Sequence, residues 1–165
     1  MTGCDVCWIC LGEADECKPL LLVCKCPRPV HAACAARWQL QSAGKSEETQ
    51  CRFCAAALPD WRQFLTPEAL RSVDALATMS ITLKAKTAVL SVSSEAGAYE
   101  EFLHRICCIF DLPSDAQFNF GFDCDDPLNC GKITLSGARF YHAAVHCAKI
   151  SAARRLTESR NIGES

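Results

Sequence analysis

Four metal-binding pairs crowd into the first 54 residues: Cys7-x2-Cys10, Cys24-x-Cys26, His31-x2-Cys34 and Cys51-x2-Cys54. Each pair has the reach to fill two corners of one tetrahedral zinc ion, and thiolate and imidazole are the donors zinc prefers. A segment this short cannot be held together by its own small apolar core, so metal must supply much of the folding free energy. The eight donors require two ions. In a cross-brace the first and third pairs share one ion (Cys7, Cys10, His31, Cys34) and the second and fourth share the other (Cys24, Cys26, Cys51, Cys54). Interleaving ties distant parts of the loop together, which consecutive pairing would not. Cys4-x2-Cys7 repeats the spacing of Cys7-x2-Cys10, but Cys4 lies close to a terminus prone to fraying, so the second pair is preferred. Cys17 has no partner at ligand spacing and is read as a free thiol.

The rest of the composition sets limits. Of 14 cysteines in 165 residues, nine precede residue 55 and five are scattered, unlike the even framework of a disulfide-stapled secreted domain. Met1-Thr2-Gly3-Cys4-Asp5 shows no basic stretch leading into an apolar one, so a reducing compartment, cytoplasm or nucleus, is expected. Apolar runs such as Leu20–Cys24 and Ile106–Phe110 are far shorter than the ~20 residues of a membrane span, which predicts a soluble protein with no membrane partner. With 17 basic against 19 acidic residues and no dense basic run, a nucleic-acid partner is not expected. Arg154-Arg155 reads as a solvated helix end.

Cysteine density falls after Cys54, and Leu58-Pro59-Asp60-Trp61 punctuates the chain, so the zinc module is placed at 1–58. Thr66-Pro67-Glu68 starts a helix, and Leu70, Val73, Leu76 and Ala77 continue it over about 67–78, which makes 59–78 a connector. Ile81, Leu83 and Ala85 alternate with polar residues from Ser80 to Lys86, predicting a strand, and Ala88–Ser93 predicts its partner. Tyr99, Phe102, Leu103, Ile106 and Phe110 form the apolar stripe of a helix closed by Pro113. Phe118, Phe120 and Phe122 alternate as a third strand. Asn129-Cys130-Gly131 supplies turn chemistry before a fourth at Ile133 and Leu135, and Phe140–Leu156 is a final helix. The domain over 79–158 is therefore α+β, ββαββα, with helices on one face of a sheet, and 159–165 is expected to be a flexible tail.

The zinc-ligand segment resembles the RING-variant (RING-CH) zinc finger. The resemblance rests on Cys7-Trp8-Ile9-Cys10, Cys24-Lys25-Cys26-Pro27, His31-Ala32-Ala33-Cys34 with Trp38 four residues on, and Cys51-Arg52-Phe53-Cys54. The PHD finger shares the ligand order and a short gap between the fourth and fifth ligands, as between Cys26 and His31. Its hallmark tryptophan stands two residues before the seventh ligand, where this chain has Thr49. The RING-CH resemblance implies two zinc ions and an adaptor-type E3 ubiquitin ligase or ligase subunit. Such a protein docks a ubiquitin-charged E2 and speeds transfer to a protein substrate with no covalent intermediate of its own. It also implies that Ile9 and Trp38 form the apolar E2 groove. Many active RING ligases carry an arginine just after the last ligand, where this chain has Ala55. The alternative is a non-catalytic zinc-finger interaction module or a subunit of a larger assembly.

The second domain resembles, more distantly, a ubiquitin-like and PB1-type interaction domain, with Lys84 and Lys86 on the first strand and Asp123, Asp125 and Asp126 after the third. His142 and His146 stand four apart on a helix beside Cys147, but no glutamate follows His142 as in a helical metalloprotease motif, and they read as structural. The aspartate run lacks the glycine and distal glutamate of an EF-hand and reads as a turn. Cys107 and Cys108 read as packing residues. No Ser-His-Asp or Cys-His constellation suggests nucleophilic catalysis, and no catalytic residue is assigned.

Overall fold

The computed structural model describes residues 6–128 and 130–162, without the side chains of Asn161 and Ile162. Cys4 and Asn129, named above, lie outside the described residues. The chain divides into two compact units, Met1–Thr66 and Pro67–Ser165.

In the first unit little regular structure surrounds the ligands. A two-residue hairpin, β1 (Leu20–Leu21) with β2 (Val30–His31), presents Cys24 and Cys26 in its loop. Helix α1 (Ala32–Gln41) follows at once, with His31 as its N-cap and Cys34 in its first turn, so the His-x2-Cys spacing is read out at a helix start. Cys7, Val30 and Ala35 form a small core, with Ile9, Leu20 and Val23 against it. Past the last ligand, α2 (Trp61–Phe64) is capped by the Asp60 carboxylate, which accepts from the Arg62 N–H, and it packs against α1. Trp61 is 1 % exposed. Its indole N–H donates to Glu48 Oε1 at 2.9 Å, while buried Gln39 donates to the carbonyls of Glu48 (2.8 Å) and Pro59 (2.9 Å).

The second unit opens differently from the expected helix over 67–78. Only Glu68–Leu70 is helical, as a single 3-10 turn, and β3 begins at Thr78. The Thr66 hydroxyl, expected as a cap, instead donates back to the Arg62 carbonyl at 2.6 Å. Ala75 and Ala77 are buried while Leu76 is 73 % exposed. That period of two belongs to extended chain. Leu70, Val73 and Ala75 pack on Ile150, Ala152 and Ala153 of the last helix.

From there the elements run β3 (Thr78–Leu83), β4 (Lys86–Ser91), α3 (Ala98–Phe110), β5 (Gly121–Asp125), β6 (Lys132–Ser136) and α4 (Tyr141–Ile162). This is the mixed helix and strand content expected, in the expected order. The strands, however, form two separate antiparallel hairpins, β3 with β4 and β5 with β6, rather than one sheet. The third strand starts at Gly121, later than expected. Phe118 and Phe120 precede it, and Phe120 stacks on Phe118 and on Phe122 at centroid distances of 5.4 and 5.7 Å. Helix α4 continues to Ile162, past the expected start of a tail at 159.

Helix α3 buries Phe102 and Ile106. Glu100 and Glu101 in its first turn complement the positive end of the helix dipole. At its other end Lys86 donates to the Ile109 carbonyl and lies over the Phe110 ring. Tyr141 at the start of α4 is 1 % exposed and packs on Tyr99 and Phe102 at 5.1 and 5.0 Å.

Candidate metal centre

The eight residues singled out by spacing come together as two groups of four, Cys7, Cys10, His31 and Cys34, and Cys24, Cys26, Cys51 and Cys54. In each group the ligand atoms all lie within 4.8 Å of one another. This is the interleaved pairing of a cross-brace. Tetrahedral zinc with ordinary bond lengths sets ligand atoms about 3.6–3.8 Å apart. Cys10 Sγ and Cys34 Sγ lie 3.3 and 3.8 Å from His31 Nδ1, and Cys26 Sγ lies 3.9 Å from Cys51 Sγ. The donor sets fit two zinc ions.

Two loops of the same design carry Cys7–Cys10 and Cys51–Cys54. The Cys7 N–H donates to the Gly12 carbonyl and the Leu11 N–H to the Cys7 carbonyl, at 2.8 and 2.7 Å. Cys51 repeats this with Ala56 and Ala55, at 2.9 and 2.8 Å. In both loops the residue after the second cysteine turns left-handed, Leu11 at φ 60° and Ala55 at φ 52°. A short bridge closes each loop, Val6 with Glu13 and Gln50 with Ala57.

The His31 ring is fixed at both nitrogens. Nδ1 faces the thiols and Nε2 donates to the Glu13 carbonyl at 3.1 Å. That outer hydrogen bond selects the tautomer whose Nδ1 lone pair is free for metal.

Electrostatics show what the clusters lack without a cation. Burial works to raise the Cys7 thiol, but the N–H groups of Cys10, His31 and Ile9 outweigh it and hold it at about 6. The N–H of Ala56 acts first on Cys54, which also falls to about 6. Burial first, then neighbouring thiols, pushes Cys26 and Cys34 up to about 12. Four thiols, or three and an imidazole, cannot all shed protons within a few ångströms of one another unless a positive charge sits among them. Zinc supplies that charge.

Residues of both Cys-x2-Cys loops line an apolar groove of about 310 Å³. Ile9 and Trp38 both line it, Ile9 from the first ligand loop and Trp38 from α1. Both are half-buried, and Ile9 also contributes to the small core. Trp8, Phe53, Val23 and Leu58 line it too, residues that spacing alone did not single out. Trp8 and Phe53 occupy inner positions of two Cys-x2-Cys pairs. They meet edge to face at 6.4 Å and are 38 % and 65 % exposed.

The other candidates fare differently. Among the described residues no group of three potential ligands includes His142 or His146. Asp126 is buried and its carboxylate accepts from the Leu128 N–H at 2.8 Å, which makes it a turn residue. Asp123 accepts from Thr134 at 2.7 Å and Asp125 pairs with Lys132. Together with Lys86, bonded to Ile109, most of the charges a PB1-type surface would offer a partner already have partners within the unit. Cys107 is buried as expected, but Cys108 is exposed beside His104 rather than packed.

Among the described residues no helix is long and apolar enough to cross a membrane. Comparison with curated proteins and with solved structures gave no match. The family model of the RING-variant domain matches residues 7–54, from the first ligand to the last. With that match and the two ligand clusters, the chain carries a RING-variant (RING-CH) zinc finger of the C4HC3 type at residues 7–54.

Proposed function

We propose that the RING-variant unit docks a ubiquitin-conjugating enzyme and acts as an adaptor-type E3 ubiquitin ligase or ligase subunit. One observation carries this reading: Ile9 and Trp38, brought from separate elements, line a single apolar groove together with the exposed aromatics Phe53 and Trp8. Exposed aromatic side chains around a concave apolar surface are the usual anchors of a protein interface. Arg28 and Arg52 also line it, which suits a partner with an acidic edge. In the transfer itself a substrate lysine attacks the thioester carbonyl of the charged E2, an isopeptide bond forms and the E2 thiol leaves. The groove's part is to hold and orient the E2.

A reconstituted reaction with ubiquitin-activating enzyme, ubiquitin and a panel of E2s tests the proposal. The zinc-loaded chain should build ubiquitin conjugates with at least one E2. Ile9→Ala or Trp38→Ala should slow that reaction about tenfold or more, the loss expected of a truncated interface anchor. Both variants should keep two zinc ions. Failure with every E2 would end the ligase reading. A second reading, a non-catalytic interaction module, is favoured by Ala55, whose position carries an arginine in many active RING ligases. It predicts E2 binding, seen as shifts at Ile9 and Trp38, without discharge of the thioester.

A further inference from the structure

The two hairpins of the second unit face each other across a cleft of about 610 Å³. Its walls include every residue of β3 from Thr78 to Leu83 and every residue from Phe118 to Asp125. A strand that presents one face lines a cavity with alternate residues, whereas lining by each residue in turn marks an edge. Neither β4 nor β6 takes part, so the facing edges are those their partners leave open. The edges of β3 and β5 are not hydrogen-bonded to each other and stand farther apart than paired strands. Between them the floor is helical: Ala144, Cys147, Ala148 and Ser151 of α4, with Phe102 and Ile106 of α3.

Register tells which backbone groups point into this slot. Leu83 and Lys86 close a two-residue loop and so form a hydrogen-bonded pair, with Ile81–Ala88 and Met79–Leu90 following in alternation. The bond from the Val92 N–H to the Ala77 carbonyl continues the series. Thr78, Ser80 and Thr82 therefore turn their N–H and C=O groups away from β4. On the other wall, bonds from Gly137 to Phe120 and from Asp126 to Gly131 bracket the ladder, which leaves Gly121, Asp123 and Asp125 turned away from β6. Among the described residues, none of these six N–H groups donates to another part of the chain. Native edges are usually blunted by proline, lysine or a bulge, and the open positions of β3 carry none of these.

We propose that this slot receives an extended segment of a partner polypeptide, inserted as a strand between β3 and β5. An extended chain offers alternating donors and acceptors to both walls at once. A helix has its backbone bonds satisfied internally and is about 10–12 Å across, so it answers neither wall. Five or six residues at about 3.3 Å each match the length of β3. Residues of the segment facing the floor are apolar, to cover Phe102, Ile106, Ala144 and Ala148. Those facing solvent sit beside Asp123 and Asp125, whose carboxylates already accept from Thr134 and Lys132, so polar residues without a required charge belong there. The partner is thus a strand of alternating apolar and polar residues without proline. The inference stands whether or not the RING-variant unit transfers ubiquitin.

Panning a random-peptide display library against the zinc-loaded full chain tests this, followed by amide hydrogen exchange with the enriched peptides. We expect enrichment of alternating sequences that slow exchange at Thr78, Ser80, Thr82, Gly121, Asp123 and Asp125 by about 100-fold at 100 times the Kd. Ser80→Pro, which deletes one slot-facing donor, should weaken binding about tenfold or more. Val89→Pro, directly opposite Ser80 but on the outer edge of the same hairpin, should leave binding unchanged. Ala148→Trp, which fills the floor without touching either ladder, should abolish it. No enriched peptide, peptides that leave those six amides unprotected, or equal losses from Ser80→Pro and Val89→Pro would overturn the proposal. So would strong protection of the six amides in the free chain, which would mean that the chain itself or a second copy fills the slot.

Discussion

Trp61 lies seven residues beyond the last zinc ligand, yet it should decide whether the zinc unit holds its metal. The side chain is 1 % exposed, and burying a large aromatic removes about 150–250 Å² from water, worth about 4–6 kcal/mol by area. Trp→Ala truncations in cores cost about 3–5 kcal/mol, and the indole also donates to Glu48, whose carboxylate would be left half-buried without it. A loss of about 4–5 kcal/mol is thus expected for Trp61→Ala. A unit ending at Thr66 has only about 3–10 kcal/mol to lose at ordinary stability per residue. Trp61→Phe keeps most of the buried area and loses the hydrogen bond, for about 1–2 kcal/mol. The assay is zinc transfer to a chromogenic chelator at 25 °C, run beside urea unfolding. Trp61→Ala should release zinc at least about 100-fold faster than wild type, with Trp61→Phe between them. Amide exchange in β3 to α4 should not change. Equal release rates for wild type and Trp61→Ala would refute the reasoning and return the end of the zinc unit to residue 58.

Ala55 adopts φ 52°, a conformation that disfavours any side chain with a Cβ, so Ala55→Gly should stabilise the zinc-loaded unit by about 1 kcal/mol in urea unfolding. Metal analysis should find two zinc ions per chain, and chelation should melt the first unit while the far-ultraviolet signature of α3 and α4 persists. In the second unit the bond from Lys132 holds the Asp125 carboxyl below its usual range. The stability it contributes is present above the ordinary carboxylate pKa and lost as pH falls through the lowered folded value, so Asp125→Asn should flatten the acid side of that unit's stability profile. The effect should stay below about 1 kcal/mol, because both partners are solvent-exposed.

Metal chemistry was the most legible part of this chain, because ligand spacing is a local property that survives any arrangement of the rest. The grouping of Cys7 and Cys10 with His31 and Cys34 also followed from the sequence, since only interleaving ties the loops together. In the sequence Trp61 stands as a boundary marker because Leu58-Pro59-Asp60 punctuates the chain, whereas its contact with Glu48 and α2's packing on α1 are long-range. The helix expected over 67–78 failed where Leu70 and Val73 imitate helical spacing. Burial of Ala75 and Ala77 on either side of exposed Leu76 reveals an extended segment, and alanines are too small to register in a hydropathy pattern. The separation of the two hairpins could not be read at all. Alternation identifies a strand and its faces but says nothing of which edges meet.

The groove takes its walls from both metal loops: Trp8 and Ile9 belong to the first, Arg52 and Phe53 to the second, and Trp38 rides on a helix whose cap is a zinc ligand. Neither ion alone assembles it. At limiting free zinc the fraction of molecules with a complete groove varies as the product of two occupancies, so half-filling each site independently leaves only about a quarter of the chains competent. The surface that would meet a partner therefore responds to zinc supply more steeply than either site that binds it.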